Sequence, residues 1–179
     1  MSEQLENLKN SIKKIKDKDF GIYFFTLDTK GNPTAGVATI YEHVKKLREL
    51  GYNAQILHDK DDYKLREDEN GIGLAEWLGD EYAELPHISI ESQKLQVGPQ
   101  DFVIIPEAFA SVMKQTKDFP CKRVIFLQAY EYIFEMLEIG EGWDQFNIRD
   151  VITTNKNLTD YVRTIFRGTF TEEIPLAIP

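Results

Sequence analysis

Cysteine is almost missing from this chain, and what is scarce beside it closes several classes of function. The single Cys121 excludes an internal disulfide framework and a cysteine-rich metal site. Positive charge is in short supply: 21 Lys and Arg face 30 Asp and Glu, a formal net charge of -9. Nucleic-acid binding needs clustered cations to displace counterions, so no nucleic-acid partner is expected. No apolar run approaches the roughly 18 residues of a membrane span. The opening MSEQLENLKN is polar where a signal peptide would be apolar. The expected location is therefore cytoplasmic, with contact at the inner face of the membrane left open. Neither GxGxxG nor GxxxxGK[ST] occurs, so a dinucleotide fingerprint and a P-loop are both absent. The three histidines, His43, His58 and His87, match no zinc spacing, and no metal or cofactor is expected.

What is present is alternation. An apolar run from Phe20 to Thr26 leads into the loop Gly31-Asn-Pro-Thr-Ala-Gly36. Val37, Ile40, Tyr41, Val44 and Leu47 then follow the i, i+3, i+4, i+7 pattern of a helix with one buried face. Gly51 supplies the left-handed residue that ends many helices, and 53–58 resumes as a strand. This is a βαβ unit. Further short runs rich in β-branched and aromatic residues lie at 86–90, 101–105, 123–127, 150–153 and 174–178. Phe109, Val112 and Met113 mark one intervening helix, and Leu158, Tyr161, Val162, Ile165 and Phe166 another. A short amphipathic piece is expected around 74–78. The strands are too continuously apolar to have a solvated face. The expected fold is α/β: a Rossmann-like three-layer sandwich with a mostly parallel sheet over residues 20–179.

An extra amphipathic helix is expected within residues 1–19, where Leu5, Leu8, Ile12 and Ile15 share one face. Five lysines against four acidic residues leave it almost neutral, which favours packing on the domain or a partner over binding anionic lipid. The apolar ending Glu173-Ile-Pro-Leu-Ala-Ile-Pro179 reads as a cut before further protein, with a terminal edge strand as the other reading.

Ligands of parallel sheets collect beyond the carboxyl ends of the strands. The residues there are Thr26 to Gly36, His58, Glu91, Glu107, Gln128, Tyr130, Glu131 and Thr153 to Asn155. Ala35 and Gly36 allow close backbone approach to a diphosphate at the helix start, or else form an ordinary turn in which Thr34 caps the helix. Glu107 suits either hydrogen bonding to ligand hydroxyls or complementing a helix dipole. Gln128, Tyr130 and Glu131 offer an amide, a phenol and a carboxylate to a sugar, whereas Tyr132 and Phe134 read as core. His58 ends a strand and faces either the crevice or a satisfied, partly buried position. Thr153 and Asn155 offer polar groups at the crevice rim or cap the next helix.

The segments Thr34 to Tyr52, Asp101 to Glu107, Arg123 to Tyr130 and Asp150 to Asn155, in this order, resemble the N-terminal half of a GT-B glycosyltransferase of the metal-independent retaining, glycogen-synthase-like group. The resemblance implies a domain that mainly holds the acceptor, a glycan or lipid-linked molecule. In that family the loop before the first helix carries a Gly-Gly pair near the donor diphosphate; here Ala35 replaces the first glycine and Gly36 keeps the second. A second domain would bind the nucleotide-sugar donor, and the 179 residues alone would be catalytically silent. The competing expectation is a stand-alone α/β module that binds a small ligand or a protein. A receiver domain is disfavoured because its acidic cluster at the strand ends does not assemble.

Overall fold

The computed structural model describes residues 20–29, 31–65 and 77–174. Seven parallel strands form one sheet: β1 (Gly21–Phe25), β2 (Asn53–His58), β3 (His87–Ser89), β4 (Phe102–Pro106), β5 (Lys122–Leu127), β6 (Asp150–Thr153) and β7 (Phe170–Glu173). Their order is β3-β2-β1-β4-β5-β6-β7. The chain winds outward from β1 in one direction, returns to β4 on the other side, and continues to β7. This is a doubly wound, Rossmann-like sheet whose direction reverses between β1 and β4.

Alternation along each strand splits the core into two layers. Tyr23, Phe25, Val103, Ile105, Ile125 and Leu127 face one side, where they meet Val112 and Met113 of α3 (Ala110–Gln115), Ile133 of α4 (Glu131–Met136), and Leu158 and Val162 of α5 (Lys156–Ile165). A 3-10 turn at Trp143–Phe146 completes that layer, with Trp143 stacked on Phe166 at 4.5 Å. Phe24, Ala54, Ile56, Ile104, Val124 and Phe126 face the other side, beneath α1 (Ala35–Glu49) and Tyr82 of α2 (Asp80–Ala83). The expected three-layer sandwich is thus present. Among the described residues no helix is long and apolar enough to cross a membrane.

Local chemistry explains where α1 stops. Gly51 takes φ 87, its N–H donates to the Arg48 carbonyl at 2.8 Å, and the Tyr52 N–H donates to the Leu47 carbonyl at 3.0 Å. This pair of bonds is the Schellman arrangement, and it turns the chain directly into β2. At the foot of the sheet, buried Asp101 accepts from the N–H groups of Gly21 and Gly98, each at 2.6 Å, which ties β1 to the entry of β4.

Two sequence expectations are to be set beside the structure. Residues 175–178 of the expected strand at 174–178 lie outside the described residues, while a strand that the sequence pattern did not place runs over Phe170–Glu173. It pairs with β6 at the sheet edge, where only Thr171 is buried, so its exposed Glu172 and Glu173 hide it from an apolar-run criterion. Tyr132 and Phe134 are not core: they are 46% and 66% exposed, because α4 is a short helix that buries only Ile133. The expected N-terminal helix and residues 74–76 of the expected piece at 74–78 lie outside the described residues. Trp77 is described; its Nε1–H donates to Thr29 Oγ1 at 3.2 Å.

Candidate functional site

A cleft of about 550 Å³ opens at the point where the sheet reverses direction. One wall is the loop after β1 and the first turns of α1: Leu27, Thr34, Ala35, Gly36, Val37, Thr39 and Ile40. The floor is the end of β4 with Pro106, Glu107, Ala108 and Phe109. The far wall is Gln128 and Ala129 after β5, Tyr132, Glu135 and Met136 of α4, and Thr154 after β6. Strands on either side of a reversal send their following helices to opposite faces, so a gap at their carboxyl ends follows from the winding itself.

The helix start in this cleft carries no side-chain cap. Thr34 occupies the N-cap position in extended conformation, yet its hydroxyl does not bond the first turn and approaches the Asn32 carbonyl at 3.4 Å instead. The first turn holds no acidic residue. Its N–H groups therefore remain available for an anion, at about 0.3–2 kcal/mol. Gly36 touches Gln128: a Cβ placed there would lie 3.3 Å from Gln128 Oε1. The close approach that glycine permits is used by a neighbouring side chain that lines the same cleft.

Glu107 is the chemically unusual group. It is only 2% exposed, its Oε1 accepts the Ala129 N–H at 2.9 Å, and its Oε2 is buried with no hydrogen-bond partner. Loss of water on burial raises its pKa, backbone N–H groups of Glu107, Ala129 and Gln128 oppose this, and the nearby Glu131 charge adds to the rise. Neither sequence expectation for Glu107 describes this bond, which clips the loop after β4 to the loop after β5. Among the described residues lining the cleft there is no Lys, Arg or His. Most of the lining is apolar.

Of the residues expected at the crevice, the fold brings together Leu27, Thr34, Ala35, Gly36, Glu107, Gln128 and Thr154. The others go elsewhere. His58 turns inward: it is 3% exposed, its Nε2 shares a hydrogen bond with His87 Nδ1 at 2.8 Å, and Tyr63 stacks on its ring at 4.1 Å. Burial and the neighbouring ring hold the His58 pKa down to about 3, and burial holds that of His87 down to about 4. Thr153 is fully buried and bonds the Thr159 hydroxyl. Asn155 caps α5, its Oδ1 accepting the Leu158 N–H at 3.0 Å. Tyr130 packs edge-on against Tyr161 at 5.3 Å outside the cleft lining. Glu131 is exposed at the start of α4, and Glu91 is exposed in the turn after β3.

The residues that sequence reasoning passed over are Phe109, Tyr132, Glu135 and Met136. A signal existed: 132, 135 and 136 are spaced i, i+3, i+4, one face of a helix following a strand. Among the described residues no three His, Cys, Asp or Glu side chains stand together so as to hold a metal ion.

Compared with models of protein families, with curated proteins and with solved structures, the chain gives no match.

Proposed function

We propose that this domain is the acceptor-binding half of a glycosyltransferase that moves a sugar from a nucleotide-sugar donor to a glycan or lipid-linked acceptor. The observation that carries the reading is the cleft at the sheet reversal, with an uncapped helix start on one side and a buried carboxylate with one free oxygen on the other. A carboxylate oxygen without a partner accepts a hydroxyl, and the apolar walls suit the lipid or the ring faces of an acceptor. The helix start alone is too weak for a donor diphosphate, since even millimolar affinity takes about 4 kcal/mol. Departure of a diphosphate needs cations, which the described lining of this cleft does not contain; in this reading a second domain closing over the cleft supplies them. Together with the sequence resemblance in the segments at 34–52, 101–107, 123–130 and 150–155, this supports a two-domain enzyme of which the 179 residues are the inactive acceptor half.

The test is to incubate the complete product of the natural gene with a panel of nucleotide sugars and follow nucleotide release. Turnover of at least one donor is expected. Gly36→Val should lower it several-fold by pushing Gln128 into the cleft; no turnover with any common donor would sink the reading. A second reading, a stand-alone α/β module for an uncharged apolar ligand, is favoured by the same apolar lining. A gene product that ends at Pro179 and transfers no sugar would select it.

A further inference from the structure

We propose that the cleft at the sheet reversal discriminates by charge, taking an amphiphilic ligand whose amine sits on Glu107 and whose apolar body lies between Phe109, Tyr132 and Met136, and turning away phosphate-bearing ligands. This rests on the reading of the cleft as a ligand site, but not on sugar transfer occurring there.

Three observations carry it. First, Glu107 lies in the cleft floor, is 2% exposed, and leaves Oε2 without a partner while Oε1 is held by the Ala129 N–H at 2.9 Å. A buried carboxylate with half of its hydrogen-bonding capacity unmet is a costly arrangement, and a donor arriving with positive charge relieves it on both counts. Secondly, the charge around it has one sign. Glu135 lines the same cleft, Glu131 lies close enough to raise the Glu107 pKa, and the described lining contains no cation. An anion entering this space meets uncompensated repulsion in a partly dehydrated site, where such repulsion is poorly screened. Thirdly, Tyr132 is 46% exposed and Met136 37% exposed although both border the cleft. Their surfaces are open to an alkyl chain or a ring.

The uncapped start of α1 favours an anion, but it carries only a fraction of a charge against the two carboxyl groups, Glu107 and Glu135, that line the same cleft. It lies in the same wall of the cleft as Thr34, whose hydroxyl donates to the Asn32 carbonyl at 3.4 Å and keeps its lone pairs for a polar group. Hence the preference follows the carboxylate, and the helix start modulates it.

Three probes with the same six-carbon body separate the contributions: hexylamine, 1-hexanol and hexyl phosphate, titrated into the 179-residue chain at pH 7.5 with binding followed by amide chemical shifts. Hexylamine should bind at least tenfold more tightly than hexyl phosphate, with shifts centred on residues 107, 129 and 132. Glu107→Gln keeps an oxygen for the Ala129 N–H and should erase most of the amine preference. Glu49→Gln removes the same charge at the far end of α1 and should preserve it, which separates the site from the general attraction of an acidic protein. The ranking on the unaltered chain stands as its own test if Glu107→Gln fails to fold. Equal or tighter binding of hexyl phosphate, or an amine preference untouched by Glu107→Gln, would overturn the proposal. Failure of all three probes to bind would overturn it together with the ligand-site reading. Sugar transfer by the full gene product with no amine preference would overturn this proposal alone.

Discussion

Glu107 and His58 both lose their water on folding, and the loss pushes their pKa values in opposite directions. His58 and His87 stay neutral in the folded chain down to about pH 3 and about pH 4, whereas free histidine takes up its proton near 6.5. Below pH 6.5 the unfolded chain therefore binds protons that the folded chain refuses, and stability falls as the pH is lowered. Glu107 acts with the other sign. Its folded pKa is raised, so the folded chain holds the proton longer, and its contribution to stability declines as pH rises above the ordinary carboxylate range. Between pH 7 and 5 both histidines act in the same direction. Urea unfolding should show a loss of roughly 1–2 kcal/mol per histidine across that interval. His58→Phe, which keeps an aromatic ring beneath Tyr63, should reduce the slope; an unchanged slope would remove the pair as its source. The buried pairing of these rings was half legible in the sequence. A strand-end histidine with a partly buried position is visible, but that its nitrogen meets His87 at 2.8 Å depends on β2 and β3 lying side by side.

At the scale of the element, two helices behave in contrasting ways. The start of α5 is held by its own side chain: Asn155 accepts the Leu158 N–H, so Asn155→Ala should cost about 1 kcal/mol in urea unfolding. A cost near zero would mean that water replaces the cap without penalty. Helix α4 is held mainly by Ile133, and its aromatic residues face outward. Phe134→Ser should thus change stability by less than about 1 kcal/mol, since substitutions at exposed positions are generally mild. Trp143→Ala, which empties a buried position stacked on Phe166, should cost about 3–5 kcal/mol. Equal effects at 134 and 143 would contradict the described packing. The sequence pattern located α1 and α5 because each has several turns over which an apolar stripe repeats. It misread the outward face of α4 because a six-residue helix offers fewer than two turns of periodicity. It missed β7 for a related reason: an edge strand needs only one buried residue, here Thr171.

For the whole molecule, the arrangement of charge follows from the winding. The seven strands bring the loops after β1, β4, β5 and β6 to one end of the sheet, and the described residues they supply to the cleft are apolar, neutral polar or acidic. With a net charge of -9 beyond that, the isolated chain should bind uridine diphosphate more weakly than about 1 mM, a limit that corresponds to about 4 kcal/mol. Isothermal titration at low ionic strength checks this, because low salt gives electrostatic attraction its best chance. Saturable binding below 0.1 mM, on the order of tenfold tighter than that limit, would place a cation in the cleft that the described lining does not contain.

The chain of apolar runs and helical stripes determined by itself that this protein is a parallel α/β sandwich, since a strand with two apolar faces has to be covered on both sides. It also determined the helix-ending turn at Gly51, a local matter of backbone conformation. Only the tertiary structure decided which strand-end residues share a cleft. The order of strands sends Glu107 and Gln128 to the same opening as Thr34 and Gly36 while turning His58 and Thr153 into the interior. The physical reason is that burial and pairing at a strand end are set by the neighbouring strands and covering helices, which lie tens of residues away along the chain.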